Sequence, residues 1–197
     1  MIASSLLPER KPRPDAADRI LRATARAIVH SGALAVTMSE VAEEAAVSKG
    51  LIHYHFHDKE TLLARLVEWI TRSLLDRELH ALADSSPRHA VDDLWRWLEG
   101  ELERGHIRVL NELSEWRGDL VKRSIRESAR SRRVTAAYTV EHLFELLGLR
   151  LRVPSGLVAE VVVAFMDGLA VSSVVSPEAN PRASFDVMWL ALLSLAE

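Results

Sequence analysis

The segment Thr37–Leu63, TMSEVAEEAAVSKGLIHYHFHDKETLL, carries three helix starts in close succession. Thr37 followed three residues later by Glu40 is a capping box, in which side chain and backbone satisfy each other's free donors. A helix beginning there has Val41, Ala42 and Ala45 on one apolar face, and Ala46-Val47 breaks it. Ser48 then caps a second helix that carries Ile52 and Phe56 inward. Two short helices joined by a tight turn form a helix-turn-helix.

The face left over on the second helix indicates what it can touch. At about 100° per residue, Gly50 and Tyr54 lie opposite Ile52, Leu51 and His53 flank them, and Lys49 stands at the open N-terminal end. Apart from Leu51 these groups are small, hydroxylated or cationic, which suits the major groove of B-DNA, where the first residues of a helix reach base edges. Asp58 caps a further helix and puts Lys59 at its start, where backbone amides and an ammonium together hold a phosphate. Such a contact fixes register without reading sequence.

This segment resembles the DNA-binding domain of the TetR family of transcriptional repressors. The resemblance runs through Thr37, Val41-Ala42, Val47-Ser48-Lys49-Gly50, Tyr54-His55-Phe56 and Lys59-Glu60, and spans about a quarter of the chain. His53 stands where the family usually has Tyr, and Ala46 where it often has Gly. A left-handed Ala46 would cost roughly 1 kcal/mol, which a packed core absorbs.

With 197 residues, 48% hydrophobic and 27% charged, the chain can bury a sizeable core. No cysteine is present, so disulfides and thiolate metal sites are excluded. The first residues lack the apolar run of a signal peptide and no stretch reads as a membrane span, so a cytoplasmic protein without membrane contact is expected. The net charge of −3 opposes general nucleic-acid coating, but Arg10, Lys11, Arg13, Arg19, Arg22 and Arg26 face only Asp15 and Asp18 across residues 10–26. That run reads as a solvated face or as a basic arm on the phosphate backbone, and its nearness to the helix-turn-helix favours the arm.

The expected fold is all-α, with a flexible basic arm at 1–14, a helix-turn-helix domain at 15–58 and a helical effector-binding and dimerisation domain at 59–197. Helices are expected at about 15–30, 59–83, 87–104, 106–117, 119–147, 154–175 and 181–196, besides the two short ones. The 59–83 stripe of Leu62, Leu63, Leu66, Val67, Ile70 and Leu74 is wide enough to serve both parts of the molecule. The last two helices are apolar over most of their circumference, which fits either a fully internal core or, more economically, a four-helix contact between two copies through residues 154–196. The resemblance implies the same homodimer, with FMDGLAV in the first of these helices. Asp167 and Gly168 there permit close backbone approach or mark a kink.

The resemblance further implies a small-molecule cavity among the middle helices. Aromatic residues in a bundle are more often core than pocket; with that alternative open for each tryptophan, Trp69, Trp95, Trp97, Trp116, Glu112 and Arg132 are the candidate effector contacts, with His89, His106 and His142 behind them, and Trp189 goes with the dimer helices. Arg132 interrupts an inward stripe, so it either snorkels to water or pairs a ligand carboxylate. His53 and His57 lie one turn apart, but no thiolate or carboxylate closes a zinc site around them, and no cofactor or metal is expected. No nucleophile elbow, phosphate-binding glycine loop or paired-histidine motif points to an enzyme. The expectation is a repressor binding a palindromic double-stranded operator through Thr37, Ser48, Lys49, Gly50, Leu51, His53, Tyr54 and Lys59, released by an unidentified small-molecule effector. The alternative is a ligand-independent DNA-binding or protein-interaction module.

Overall fold

The computed structural model describes residues 15–176 and 178–197; the arm expected at 1–14 lies outside them. The order of elements is α1 (Ala16–Ser31), α2 (Met38–Glu44), α3 (Lys49–Phe56), α4 (Lys59–Ala83), α5 (Ala90–Arg104), α6 (His106–Ser114), α7 (Asp119–Leu146), α8 (Ser155–Val175) and α9 (Pro181–Leu193). The fold is all-α, and the sole β feature among the described residues is an isolated bridge between Leu151 and Ala196.

The short helices are held by their caps. The Thr37 hydroxyl accepts from Glu40 N at 3.2 Å while the Glu40 carboxylate accepts from Thr37 N at 2.7 Å, closing the capping box. Ser48 accepts from Leu51 N and Asp58 from Thr61 N, so three helix starts in one segment are each satisfied by the preceding side chain. Ala46 adopts φ 52°, the left-handed turn conformation. His57 also has a positive φ, 59°, but with ψ −59° it centres a tight turn in which Asp58 N donates to Phe56 O at 2.6 Å, and its carbonyl lies 2.8 Å from His53 Nδ1.

Two apolar clusters share α4. The first joins Ile20 and Ile28 of α1, Val41, Ile52 and Phe56, and α4 from Leu62 to Ile70, but it also includes Val109, Leu110 and Leu113 of α6 and Val121 of α7. The helix-turn-helix is therefore seated on the body through α6 as well as through α4. The second cluster starts at Leu74 and takes in α5, the C-terminal half of α7, α8 and α9.

Three boundaries differ from the sequence reading. Helix α5 begins at Ala90, because Ser86 O accepts from both His89 N and Ala90 N, and Pro87 occupies the resulting turn. Helix α6 ends at Ser114, whose hydroxyl donates back to Asn111 O at 2.6 Å and competes with the next turn. Helix α9 ends at Leu193, because the following residues pair with the α7–α8 connection through Arg152 N to Leu195 O and a reciprocal Arg150–Glu197 pair. Helix α8 also passes, by length and composition, as long and apolar enough to cross a membrane, a run the sequence reading did not recognise. In this fold Val158, Ala159, Val163, Met166, Leu169 and Ala170 form its buried side.

Gly105, at φ 69°, is both the end of α5 and the start of α6. A Cβ there would meet Val29 Cγ2 of α1 at 2.8 Å. Gly105→Ala is expected to cost about 2 kcal/mol, from the left-handed backbone and the displaced α1 contact, read as a lower urea midpoint at unchanged m. An unaltered midpoint would show that α1 yields freely at this corner.

Candidate DNA-reading face and ligand cavity

Burying Ile52 and Phe56 forces the opposite face of α3 outward. Lys49, Gly50, His53 and Tyr54 are exposed, Tyr54 at 77%, and Leu51 is half-buried. Thr37 and Ser48 are exposed, but their hydroxyls are already engaged as caps. Lys59 stands at the start of α4, half-buried, with Nζ donating to Leu34 O at 3.2 Å and 5.0 Å from the centre of the Trp116 ring. Burial holds its pKa below the usual lysine value, and Glu40 opposes the shift. The neighbouring Glu60 accepts from Leu120 N at 2.9 Å and so ties the start of α4 to α7.

The six candidate effector contacts do not come together. Trp69 donates from Nε1 to Asp18 of α1 at 2.7 Å and lies edge-on to His106, in an open cleft between α1 and the body. Trp116 sits against Lys59, beside the reader. Glu112 accepts from Ala33 N at 2.9 Å and from Arg108, bracing α6 against the α1–α2 loop. Trp95 packs on Phe185 and under the Arg182 guanidinium. Arg132 neither snorkels nor stands free: it is buried and donates to Asp167 of α8 at 2.6 Å. Trp97 alone of the six lines the closed cavity in the second cluster.

That cavity measures about 40 Å³ and is walled by α4, α5, α7, α8 and α9. Six aromatic and thioether side chains, Trp97, Phe165, Met166, Phe185, Met188 and Trp189, share the wall with seven aliphatic ones. Trp189, expected on a dimer face, is buried here. The one acidic group in the wall is Glu78, 4% exposed, accepting from Thr139 Oγ1 at 2.9 Å. Burial pushes its pKa up to about 7, Thr139 and Arg132 pull against that rise, and Glu101 adds to it. The sequence reading missed Glu78, although it continues the four-residue line Leu62, Leu66, Ile70, Leu74 and precedes buried Leu82.

Beside Glu78, Arg77 turns the other way. Its Nε and Nη2 donate to both oxygens of fully buried Glu101, at 2.6 and 2.8 Å. Burial would raise the Glu101 pKa, but His106 and Arg77 outweigh it and hold it below the carboxylate norm. Through His106 and Trp69 this clamp reaches Asp18 of α1. Among the described residues no group of three or more histidines and carboxylates is arranged to hold a metal ion.

Residues 20–66 match the family model described as "Bacterial regulatory proteins, tetR family". The chain is 40% identical over 78 residues to the HTH-type transcriptional regulator BetI of Rhizobium meliloti, covering 39% of this chain and 38% of that protein. The chain thus spans under two-fifths of the length of this curated relative. In fold it is similar to a transcriptional regulator from Rhodococcus (TM-score 0.73, 21% identity, 91% of this chain and 97% of that one). It is equally similar to the fatty acid degradation regulator FadR of Bacillus halodurans (TM-score 0.74, 16% identity, 93% and 97%). The capping box, the Ser48-Lys49-Gly50 start of α3 and the Lys59-Glu60 start of α4 all fall inside the matched segment. Residues 20–66 thus carry the segment that defines the tetR family of bacterial regulatory proteins, within a helical fold like that of solved transcriptional regulators.

Proposed function

We propose that the chain acts as a homodimeric transcriptional repressor in the cytoplasm, binding a palindromic operator and released by a small molecule. The observation that carries this reading is the outward face of α3, where Lys49, Gly50, His53 and Tyr54 are exposed on a helix capped at its start and anchored by Ile52 and Phe56. In this reading residues 15–58 are the reader and 59–197 the body. Lys49, Leu51 and His53 meet base edges, with Leu51 able to touch a thymine methyl, while Gly50 lets the backbone approach. Tyr54, Lys59 and the starts of α2 and α3 at Thr37 and Ser48 lie on phosphates.

Two readers enter successive major grooves about 34–36 Å apart. A stripe of exposed apolar residues supports pairing of copies: Leu157, Val161, Val171 and Val175 on α8, with Val187 and Leu190 on α9. Ligand response runs through α4, which carries Glu78 in the cavity wall and Arg77 in the clamp leading to α1. A ligand that favours one position of α4 over another changes the spacing of the readers, a population shift driven by differential affinity.

Selection of bound duplexes from a random pool is expected to yield an inverted repeat. Lys49→Ala should reduce the slope of log affinity against log salt by about one. A pool without two-fold symmetry, or an unchanged slope, would remove the operator and the Lys49 contact respectively.

A further inference from the structure

Glu78 is a buried carboxyl that makes no ion pair among the described residues, and the one cation that acts on it, Arg132, does so without a bond to it. Its hydrogen bond comes from a neutral hydroxyl, Thr139 Oγ1, while the Arg132 guanidinium donates through Nη2 to Asp167 and keeps a buried Nε without a partner. Arg77, next in sequence, is committed to Glu101. The rest of the wall is seven aliphatic side chains together with four aromatic rings and two thioethers, and the rings and thioethers attract a cation and rearrange readily around it. A carboxylate set in a largely apolar wall that includes aromatic rings is complementary to positive charge carried on an apolar body, and it repels an anion. We infer that the cavity beside Glu78 takes a compact lipophilic cation, an ammonium bearing apolar substituents, whose charge pairs with Glu78 while its body displaces Met166 and Met188. This rests on the reading above that a small molecule sets operator affinity, and it names the chemical class of that molecule.

The cavity's 40 Å³ holds roughly three waters, so the ligand must widen it. The adaptable elements are in place, since Met166 of α8 and Met188 of α9 lie in the wall. Widening acts on α4 directly, because Glu78 belongs to the helix whose next residue back, Arg77, clamps Glu101.

The charged and titratable groups facing Glu78 are Arg132 from α7 and Glu101 from α5, and α8 and α9 contribute only apolar residues to the wall around it. With burial holding Glu78 near half-protonated around pH 7, a cation that carries its charge at every pH should displace a proton on binding.

The test uses three probes of similar size, benzyltrimethylammonium, benzyl alcohol and phenylacetate, followed by quenching of tryptophan fluorescence and by calorimetry in buffers of different ionisation enthalpy. The ammonium should bind at least tenfold more tightly than the alcohol, phenylacetate should not bind, and ammonium affinity should rise between pH 6 and 8 with proton release. Glu78→Gln should weaken the ammonium at least tenfold and leave the alcohol unchanged, which also shows the variant to be folded. Phenylacetate binding as tightly as the ammonium, an ammonium affinity indifferent to Glu78→Gln, or no ammonium binding by a protein that binds its selected duplex would each overturn the inference. Ammonium binding to Glu78 in a protein that selects no duplex would support the ligand class and defeat the proposed function.

Discussion

Val161→Glu together with Val171→Glu leaves the protein monomeric at micromolar concentration and lowers its affinity for a two-half-site duplex by about 100-fold or more. Both residues lie on α8 and are about half exposed in the single chain, at 57% and 49%. They belong to a line that runs from Leu157 to Val175, and Val187 and Leu190 of α9 extend it. So much apolar area on one side of two adjacent helices marks an association surface. In the proposed homodimer a two-fold axis would bring each carboxylate of one copy near its counterpart in the other, adding like-charge repulsion to desolvation. The residues that hold α8 in its own chain, Val158, Ala159, Val163, Met166, Leu169 and Ala170, are untouched, so helicity and melting temperature should change little. Binding to one half-site should persist at low salt, since the α3 face is unaltered. A variant that sediments as a dimer would move the pairing surface elsewhere, with the exposed Val134 and Tyr138 of α7 next in line.

Features set by neighbouring residues were legible before the fold was known. Thr37, Ser48 and Asp58 each cap a helix through a partner three residues on, so all three starts could be read from spacing alone. The shared role of α4 was likewise written in its stripe. Features set by distant partners were not legible. The end of α9 depends on backbone pairing with residues 150–152, some forty positions earlier, and the positive φ of His57 follows from how α3 must turn into α4. Tryptophan was a poor guide to the cavity, because ring size predicts burial but not which space is filled: Trp69 and Trp116 serve the junction with the reader, Trp95 packs on α9, and Trp97 lines the cavity. Glu78 had a local signal that a search for aromatic residues passes over, an acidic residue on the buried four-residue line of α4. Polar residues on such a line are the ones whose cost of burial calls for a purpose.

That cost makes Glu78→Gln a stabilising change whose size depends on pH. The folded-state pKa is raised from 4.5 to about 7, chiefly by burial. The group's favourable contribution is therefore complete below pH 4.5, where both folded and unfolded chains hold the proton. It is lost as pH rises towards 7, because the unfolded chain ionises freely while the folded one must do so in an apolar wall. The difference between the two pKa values corresponds to about 3 kcal/mol once both states are ionised. Glutamine keeps the shape and can still accept from Thr139 Oγ1, so it removes the ionisation without opening a cavity. Urea unfolding should thus give nearly equal stabilities for the two proteins at pH 4.5 and a gain of about 3 kcal/mol for Glu78→Gln at pH 8, with the increase falling between pH 4.5 and 7. A gain equal at both pH values would assign the effect to packing, and no gain at pH 8 would mean that the carboxylate finds water or a cation on ionising. A ligand that brings positive charge to the ionised Glu78 would offset this cost, so the stability gain of Glu78→Gln and the tighter ammonium binding expected of the unaltered protein draw on the same burial of charge.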